Sequence, residues 1–592
     1  MHMPTPGSIY SEFITRYTKD LKAIKTQLFW SSMLRLAVFV AIALSVYLFW
    51  SSTRIVIGSI IIGIVLFLIL VTRHSKIQYK KAKLKALLQL NETELNVLKR
   101  EFSDLPAGDQ YKNQEHEYSQ DIDIFGKHSF FQYLNRTALK EGEENLASKL
   151  TSNSIDHIEL RQNAIKELAE KVELRQNFTA DAILVDTETK ASSIVNWITQ
   201  YKTFVPKWMS WFPALFSIVS LVVITAYFFN FITGAQLLLC FIIGLGITGA
   251  FLKRINKLSS HVSQAQSTFQ QYFKLLKLIE DAEFTSELLQ NYQNQIHSDS
   301  AKASQILKTL SKHIDGLDQR NNILLGIVLN GFMLRDLTQS LKIEKWITAH
   351  ASQVQNWFEI IAEVDAFNSL ANFHFNHPNY VFPEIKESGS FTKTKGAVHP
   401  LIDPEDAVRN DFEIKDNHFF IITGANMAGK STFLRTVSLQ IVMSNVGLPV
   451  CATSSEYVPT KLITSMRTVD SLADEASYFF AELTRLKYIV DQIQTDKYFI
   501  VLDEILKGTN STDKAIGSRK FVERLVKANA IGIIATHDLS LCEVADDLPQ
   551  VQNYYFDAEI IDDELNFDYT LKKGVCKNMN ASFLLKKMDI VE

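Results

Sequence analysis

The sequence predicts a C-terminal α/β domain built on a parallel sheet, joined to an all-α domain and to four transmembrane helices in two hairpins. Three observations predict this architecture. An apolar run at 419–422 leads into a glycine-rich turn and then into a helical pattern. Two pairs of apolar stretches lie in the N-terminal half. Long polar segments with helical periodicity lie between and after these pairs.

Composition bounds the class of protein. A chain of 592 residues is too long for one core, and 47% hydrophobic residues with only 12 prolines favour a packed, helix-rich protein. The net charge of -4 gives no basic footprint for wide contact with DNA or RNA, although a basic patch on one face could be hidden in that total. Four cysteines without metal-site spacing favour a reduced, cytosolic setting.

The apolar stretches cover 29–50 and 55–72 in the first pair, and 211–231 and 235–252 in the second. Each is about long enough to cross a hydrocarbon core of roughly 30 Å as a helix. Cations flank both pairs, and Arg54 is the one cation in the turns between paired stretches. By the positive-inside bias, we expect a multi-pass protein of the inner (cytoplasmic) membrane with both termini cytoplasmic. The alternative interpretation is that these stretches are buried core helices of a soluble protein. This alternative has more weight for the second pair than for the first.

The segments outside the apolar pairs divide the rest of the chain. Their charged, amphipathic patterns predict long antiparallel or coiled helices, and prolines near 380 mark the start of the α/β domain. We predict an N-terminal cytosolic segment (1–28), a first hairpin (29–72), a helical linker (73–117), a core helical domain in its first part (118–207), a second hairpin (208–252), a lever and core domain (253–380), and the α/β domain with terminal dimerisation helices (381–592).

The spacing G-x-x-x-x-G-K-S follows the apolar run, with Gly424, Gly429, Lys430 and Ser431 at its fixed positions. This is the pattern of a phosphate-binding loop. Small residues let successive backbone N–H groups curl around phosphates, and the following helix adds its partial positive charge. Lys430 would reach the β- and γ-phosphates of ATP, and the Ser431 hydroxyl would ligate Mg²⁺.

A second motif, the apolar strand 498–502 followed by Asp503 and Glu504, predicts the rest of the site. Asp503 would hold Mg²⁺ beside Ser431, directly or through water, and Glu504 would act as the base or polariser for the attacking water. His537 follows a third apolar run, and taken alone it is as readily structural as functional. Strands that end near these residues would form a crevice at the carboxyl edge of a parallel sheet.

These motifs resemble those of the MutS mismatch-repair ATPases. The resemblance is carried in the α/β domain by Thr423–Thr432, Leu502–Thr509, Ala535–His537 and Ala397–Leu401, and upstream by Phe125–Thr137, Arg161–Gln162 and Asp365–Ala371. It runs from about Tyr118 to the C-terminus, interrupted by the second apolar pair. It implies an ABC-type ATPase fold that uses ATP and Mg²⁺.

The resemblance also implies roles for particular positions. The nucleotide would be bound by Gly424, Ala425, Asn426, Met427, Ala428, Gly429, Lys430, Ser431, Thr432 and Ser477; Lys430, Glu504 and His537 would be catalytic; Ser431 and Asp503 would ligate the metal. Ser477 would reach the γ-phosphate of another subunit, which implies a homodimer with dimerising elements in 565–588. The aromatic that stacks on adenine in the family has no clear counterpart here, so that Val408 or a neighbour would substitute.

The sequence also departs from the family pattern. It has no place for the mismatch-reading domain with its Phe-x-Glu wedge, and a separate clamp domain is hard to find. Our leading hypothesis is a membrane-anchored dimeric ATPase that switches its lever helices between two arrangements. A DNA-binding module that tethers DNA to the membrane, with ATP as the release signal, is the alternative implied by the family. A transporter is disfavoured because the spans lack charged or broken midplane helices.

Overall fold

The computed structural model describes residues 5–184, 191–297, 302–467, 478–561 and 564–577. The α-helices are α1 (Pro6–Leu48), α2 (Thr53–Leu98), α3 (Phe130–Leu134), α4 (Lys140–Thr151), α5 (Ile158–Glu170), α6 (Val172–Ile183), α7 (Ala191–Thr199), α8 (Phe212–Phe228), α9 (Gly234–Asp281), α10 (Glu287–Ile296), α11 (Ala303–Asp318), α12 (Ile323–Met333), α13 (Arg335–Asn376), α14 (Lys430–Val446), α15 (Tyr478–Gln492), α16 (Ser511–Lys527) and α17 (Val544–Asp547). The strands are β1 (Glu384–Ile385), β2 (Ser390–Ala397), β3 (Asn410–Lys415), β4 (Phe419–Gly424), β5 (Ser454–Tyr457), β6 (Lys461–Ser465), β7 (Tyr498–Asp503), β8 (Ile531–Ala535), β9 (Val551–Phe556), β10 (Ala558–Ile561), β11 (Glu564–Phe567) and β12 (Lys572–Lys573).

The main sheet of the C-terminal domain has the strand order β12-β9-β4-β8-β7-β6. Strand β4 pairs in parallel with both β8 and β9, and β12 is antiparallel to its neighbour β9. Phe420 and Ile422 of β4 belong to the core that contains α14, whereas Phe419 and Ile421 belong to the core that contains α16. Because side chains alternate along a strand, the continuous apolar run supplies both faces of a buried strand. The prediction of an α/β domain joined to a helical part is confirmed.

Two helical pairs contain the apolar stretches that the sequence predicts to cross a membrane. In the described part of the chain, α1, α2 and α9 are long and apolar enough for a span, but α8 has only 17 residues. Pro213 lies in the first turn of α8, and the helix ends before Asn230, which has φ +60°. At 1.5 Å per residue α8 is about 26 Å long, somewhat short of a 30 Å core. The sequence predicts four helices long enough to cross a membrane. In the described part of the chain three of them, α1, α2 and α9, have that length, and α8 is shorter.

The apolar segments are continuous with polar helices. Helix α2 has 46 residues and α9 has 48, so each runs from its apolar end into the helical domain without a break. The sequence of α2 carries no proline, and its glycines lie only at positions 58 and 63, within the apolar part. A movement of the polar end of an unbroken helix therefore also moves its apolar end.

Helix α12 is a further apolar element beside the second pair. It packs against α8 and α9, and a Cβ added at Gly244 would lie 2.1 Å from the Gly331 carbonyl oxygen. The two backbones approach this closely because both positions are glycine. Phe241 and Phe332 are in ring contact at 5.1 Å beside them. The sequence predicts that this region forms packed helices. The structure shows that α12 packs against the second helical pair, α8 and α9.

A buried carboxylate joins the first pair to the end of α13. Glu94 of α2 accepts hydrogen bonds from Arg136 Nε at 2.6 Å and from Asn376 Nδ2 at 2.7 Å. The Tyr10 hydroxyl of α1 donates to Asn376 Oδ1 at 2.7 Å. Removing one partner from a buried pair leaves an uncompensated charge, so this node fixes α1 and α2 on the helical domain.

Asp365 lies in the middle of α13 and holds the start of α4. Its Oδ2 accepts hydrogen bonds from the backbone N–H groups of Ala138 and Leu139, at 3.0 and 2.8 Å. Full burial raises the pKa of Asp365 to about 7, although the two backbone donors lower it. The folded protein therefore keeps a proton on this carboxyl at pH values where the unfolded chain has lost it.

We expect Asp365→Asn to change how stability depends on pH. Between about pH 4 and pH 7 the folded state binds the proton and the unfolded state does not, so this group's contribution to stability falls as pH rises. Asparagine has no such proton, and its carbonyl oxygen can accept from both N–H groups. The melting temperature of the natural protein should therefore fall relative to that of the variant between pH 5 and pH 7.5. Asp20→Asn at an exposed site is the control; parallel curves for Asp365→Asn and the natural protein would contradict this prediction.

Candidate nucleotide-binding site

The phosphate-loop sequence forms a tight turn between β4 and α14. Gly424 has φ +146°, and a Cβ there would lie 2.5 Å from the Phe556 carbonyl oxygen, so only glycine fits. Gly429 has φ +105° and is the N-cap of α14, with no side-chain hydrogen bond to the helix. The N–H groups of the first turn therefore have no side-chain cap. This geometry suits an anion at the helix N-terminus.

Lys430 lies under the loop. Its Nζ donates to the carbonyl oxygens of Gly424 and Ala425, each at 2.8 Å. Burial lowers the pKa of Lys430, while the nearby carboxylates Asp503 and Glu504 raise it. The ammonium group is thus fixed at the centre of the loop, among the backbone groups that phosphates would contact.

The two predicted metal ligands are in direct contact. Ser431 Oγ donates to Asp503 Oδ2 at 2.7 Å, across 72 residues of sequence. Hard oxygen donors of this kind suit Mg²⁺, which usually takes one or two protein ligands and completes its shell with water and phosphate oxygens. The described residues contain no cluster of three or more His, Cys, Asp or Glu that could hold a metal.

Glu504 adopts φ +51°, and its N–H donates to the Ala535 carbonyl of the neighbouring strand at 2.9 Å. Its carboxylate pairs with Lys514 Nζ at 2.9 Å, and Lys507 Nζ lies 3.9 Å away. Burial raises the pKa of Glu504, but Lys514, Lys507 and His537 outweigh this and lower it overall. The carboxylate is therefore ionised at neutral pH, as a general base requires.

His537 lines the same cavity, two residues beyond the end of β8. Burial lowers the pKa of His537, and the positive charge of Lys430 lowers it further. The imidazole is therefore neutral at pH 7, so it can donate and accept hydrogen bonds without adding a charge.

A cavity of about 580 Å³ brings most of the predicted site residues together. Those that line it are Asn426, Met427, Gly429, Lys430, Ser431, Thr432, Asp503, Glu504, His537 and Val408. Gly424, Ala425 and Ala428 do not line it: Gly424 and Ala428 are buried, and the carbonyl oxygens of Gly424 and Ala425 accept hydrogen bonds from Lys430. Ser477 and residues 578–588 of the predicted dimerisation segment lie outside the described residues.

Tyr569 lines the cavity although its place there was not evident from the sequence. A Cβ on Gly429 would lie 3.2 Å from its ring, and 43% of the side chain is exposed. Asn410 fixes this segment: its Nδ2 donates to the Tyr569 carbonyl at 3.0 Å and its Oδ1 accepts from Leu571 N at 2.7 Å. The available signal was an aromatic residue at every second position, Phe567 and Tyr569, in a segment predicted only as a terminal strand.

Glu482 is a positioning residue that the sequence interpretation also missed. This buried carboxylate of α15 accepts hydrogen bonds from Leu506 N at 2.5 Å and Lys507 N at 3.1 Å. Leu506 has φ +58°, an uncommon backbone conformation for leucine, and the two hydrogen bonds hold the segment in it. The loop that follows Asp503 and Glu504 is thereby fixed against the helix that starts at Tyr478.

The segment that begins at Asp121 joins the helical part to this domain. Asp121 accepts hydrogen bonds from Thr464 Oγ1 at 2.6 Å and Met466 N at 3.0 Å. Asp123 pairs with Arg435 of α14 at 3.0 Å and with Arg467 at 2.7 Å. The sequence predicts only a core helical domain here, whereas the structure shows a contact with Arg435, five residues after the start of α14.

The fold and these side chains define a nucleotide-binding domain of the phosphate-loop class. A family model for MutS domain V matches residues 420–586. Residues 420–586 are thus similar to domain V of the MutS family, as the sequence predicts.

Curated relatives match between 34% and 39% of the chain. It is 32% identical over 237 residues to a DNA mismatch repair protein MutS from Methanococcoides burtonii, covering 38% of this chain and 26% of that protein. It is 30% identical over 240 residues to DNA mismatch repair protein MSH4 from Arabidopsis thaliana, covering 39% of this chain and 30% of that protein. It is 30% identical over 214 residues to MutS protein homolog 4 from Homo sapiens, covering 34% of this chain and 22% of that protein. The chain thus spans less than a third of the length of these relatives.

Proposed function

We propose that this protein is a membrane-anchored ATPase that hydrolyses ATP to switch a homodimer between two conformations. The observation that carries the enzymatic half is the direct contact of Ser431 with Asp503, beside the paired Glu504 and the loop-bound Lys430. Two motifs 72 residues apart meet at one cavity with the donor types that Mg²⁺ and a triphosphate require.

Each residue has a definite task in this proposal. Lys430 and the first N–H groups of α14 neutralise and orient the phosphates. Ser431 and Asp503 would hold Mg²⁺, which would supply charge stabilisation at the phosphoryl group. Glu504 orients the attacking water and accepts its proton once Lys514 releases the carboxylate, and neutral His537 donates a hydrogen bond nearby.

The outer part of the cavity suits a nucleobase. Tyr569 offers an aromatic ring beside Gly429, and Val408 and Met427 offer apolar surface. An aromatic ring stacked on a base contributes roughly 1–3 kcal/mol. We propose that Tyr569 supplies the aromatic surface for adenine, and that the partner subunit's Ser477 completes the phosphate end of a site shared across a homodimer.

The membrane half of the proposal rests on the exposed apolar helices. The most apolar windows of α1, α2 and α9 are almost entirely exposed, although long apolar helices in a water-soluble fold bury such faces. Helices α8 and α12 add apolar surface beside α9. We propose that these helices are embedded in the inner (cytoplasmic) membrane, with the nucleotide-binding domain and both termini on the cytoplasmic side.

DNA is the second candidate for what the switch acts on. The names of the curated relatives, DNA mismatch repair proteins, favour it. A module that tethers DNA to the membrane and releases it with ATP would share the same nucleotide site. Tight binding of duplex or branched DNA with a steep salt dependence would support this function, and binding no stronger than that of an unrelated acidic protein would eliminate it.

The ATPase half predicts distinct effects of two substitutions. Lys430→Ala should weaken ATP binding, because the fixed cation of the phosphate loop is lost. Glu504→Gln should retain ATP binding and slow turnover by about 10²–10⁴-fold, the usual contribution of a general base. Phosphate release and binding of a fluorescent ATP analogue measure the two effects. Lys527→Ala and Glu559→Gln, at exposed positions, are the matched controls. Turnover equal to that of the controls in both site variants would refute the assignment.

The membrane half predicts a pattern of labelling in intact cells. In a variant without native cysteines, a membrane-impermeant maleimide should label Ser51→Cys and Phe231→Cys, which lie in the turns between paired helices. Glu283→Cys follows α9 on the proposed cytoplasmic side and should be labelled only after the cells are lysed. The protein should also need detergent for extraction. Equal labelling of all three positions before lysis, or extraction without detergent, would contradict the proposal.

A further inference from the structure

A second cavity of about 580 Å³ lies at the polar end of the second helical pair. Its walls come from the end of α7, the loop 200–204 and the stretch 254–261 of α9. The site is adjacent to the apolar part of the molecule, because Arg254 comes two residues after Leu252, the end of the predicted apolar stretch. Exposed Trp208 and Trp211 stand at the start of α8, with 48% and 57% of their side chains accessible.

The lining of the cavity carries three cations, Lys202, Arg254 and Lys257, and no acidic side chain. None of these three cations forms an ion pair with any residue in the described ranges, whereas Lys507 and Lys514 at the nucleotide site pair with Glu504. Unneutralised cations around one concave surface attract an anion of matching size.

The loop that carries Lys202 is held in place from behind. Glu344 of α13 is 2% exposed and accepts hydrogen bonds from the Tyr201 hydroxyl at 3.0 Å, Phe204 N at 2.7 Å and Val205 N at 3.1 Å. Its two oxygens are engaged with the loop, so the carboxylate serves to anchor it. The cavity is therefore a built feature of the fold.

Aromatic rings complete one wall. Trp197 is stacked on His261, with ring centroids 5.6 Å apart and an interplanar angle of 7°. His261 Nδ1 lies 2.7 Å from the Lys257 carbonyl oxygen, which can only accept, so Nδ1 carries the proton. Nε2 of His261 is therefore the acceptor when the ring is neutral. Trp197 and His261 stack on each other, so these faces of the two rings are not available to stack on a nucleobase. The pair therefore suits contact with a compact polar group.

We propose that this cavity binds the phosphate headgroup of an anionic phospholipid. The cations and the Thr203 hydroxyl contact the phosphate, and the acyl chains leave along the exposed apolar surface of α8 and α9. Basic pockets at the cytoplasmic ends of membrane helices recognise such headgroups. The inference rests on the proposed membrane anchoring. Through Glu344, an occupied site would also fix the loop against α13, so lipid composition could bias the conformation of the helical domain.

The test measures lipid binding to the full-length protein in neutral detergent by native mass spectrometry. Phosphatidylglycerol should bind more tightly than phosphatidylcholine with the same acyl chains. The variant with Lys202→Gln, Arg254→Gln and Lys257→Gln should bind phosphatidylglycerol about 100-fold more weakly, from roughly fivefold for each cation. The matched control, with Arg73→Gln, Lys76→Gln and Lys80→Gln beside the first helical pair, removes the same charge and should bind normally. ATP binding and the melting temperature report that both variants are folded.

The other outcomes are equally decisive. Equal loss in both triple variants, or none in either, would overturn the site. Displacement of the lipid by inorganic phosphate at equal concentration would show that a soluble phosphate is the ligand and would overturn the lipid assignment. A protein that needs no detergent would refute the membrane anchoring itself. A detergent-dependent protein with unchanged lipid binding in the cavity variant would refute the headgroup site alone.

Discussion

The position of α13 is the constraint on which the helical part of the molecule depends. This helix has 42 residues and is about 63 Å long at 1.5 Å per residue. Glu344 near one end holds the loop that leads to α8, and Asn376 at the other end binds Glu94 of α2. Asp365 between them holds the start of α4. Because these contacts are buried and hydrogen-bonded, α13 cannot shift without moving both apolar pairs.

Helix α14 makes the corresponding connection from the nucleotide site. It begins at Lys430 in the phosphate loop and ends against α5, where Arg161 Nη2 donates to the Asn445 carbonyl at 2.6 Å. A Cβ on Gly447, just beyond the helix, would lie 2.8 Å from the Arg161 Cβ, so the backbone and this side chain are in close contact. Helix α5 packs in turn on α13. A contiguous path of packed helices therefore links the phosphate loop to the apolar pairs, along which a change at one end can reach the other.

Buried carboxylates stand at the junctions between these segments. Glu94, Glu344, Glu482 and Asp365 each accept hydrogen bonds from another segment of the chain. A buried acceptor left without its donors costs about 1–3 kcal/mol, and more when it is charged, so each junction has one strongly preferred arrangement. The nucleotide site uses charge differently. There Lys514 forms an ion pair with the Glu504 carboxylate, the group that hydrolysis would need as a base. Release of that ion pair is a local change that nucleotide or a second subunit could drive.

Local patterns in the sequence determined the likeness to the MutS family, the strand and turn of the phosphate loop, and the positions of the apolar stretches. These features depend on neighbouring residues: Gly424 and Gly429 mark positive φ angles, and a continuous apolar run marks a strand buried on both faces. The tertiary structure alone decided that Tyr569 lies beside Gly429 and that α12 packs on the second pair. It also placed three cations around a cavity behind which Glu344 anchors the loop. Each of these depends on contacts between residues tens to hundreds of positions apart, for which no single stretch of sequence carries a signal.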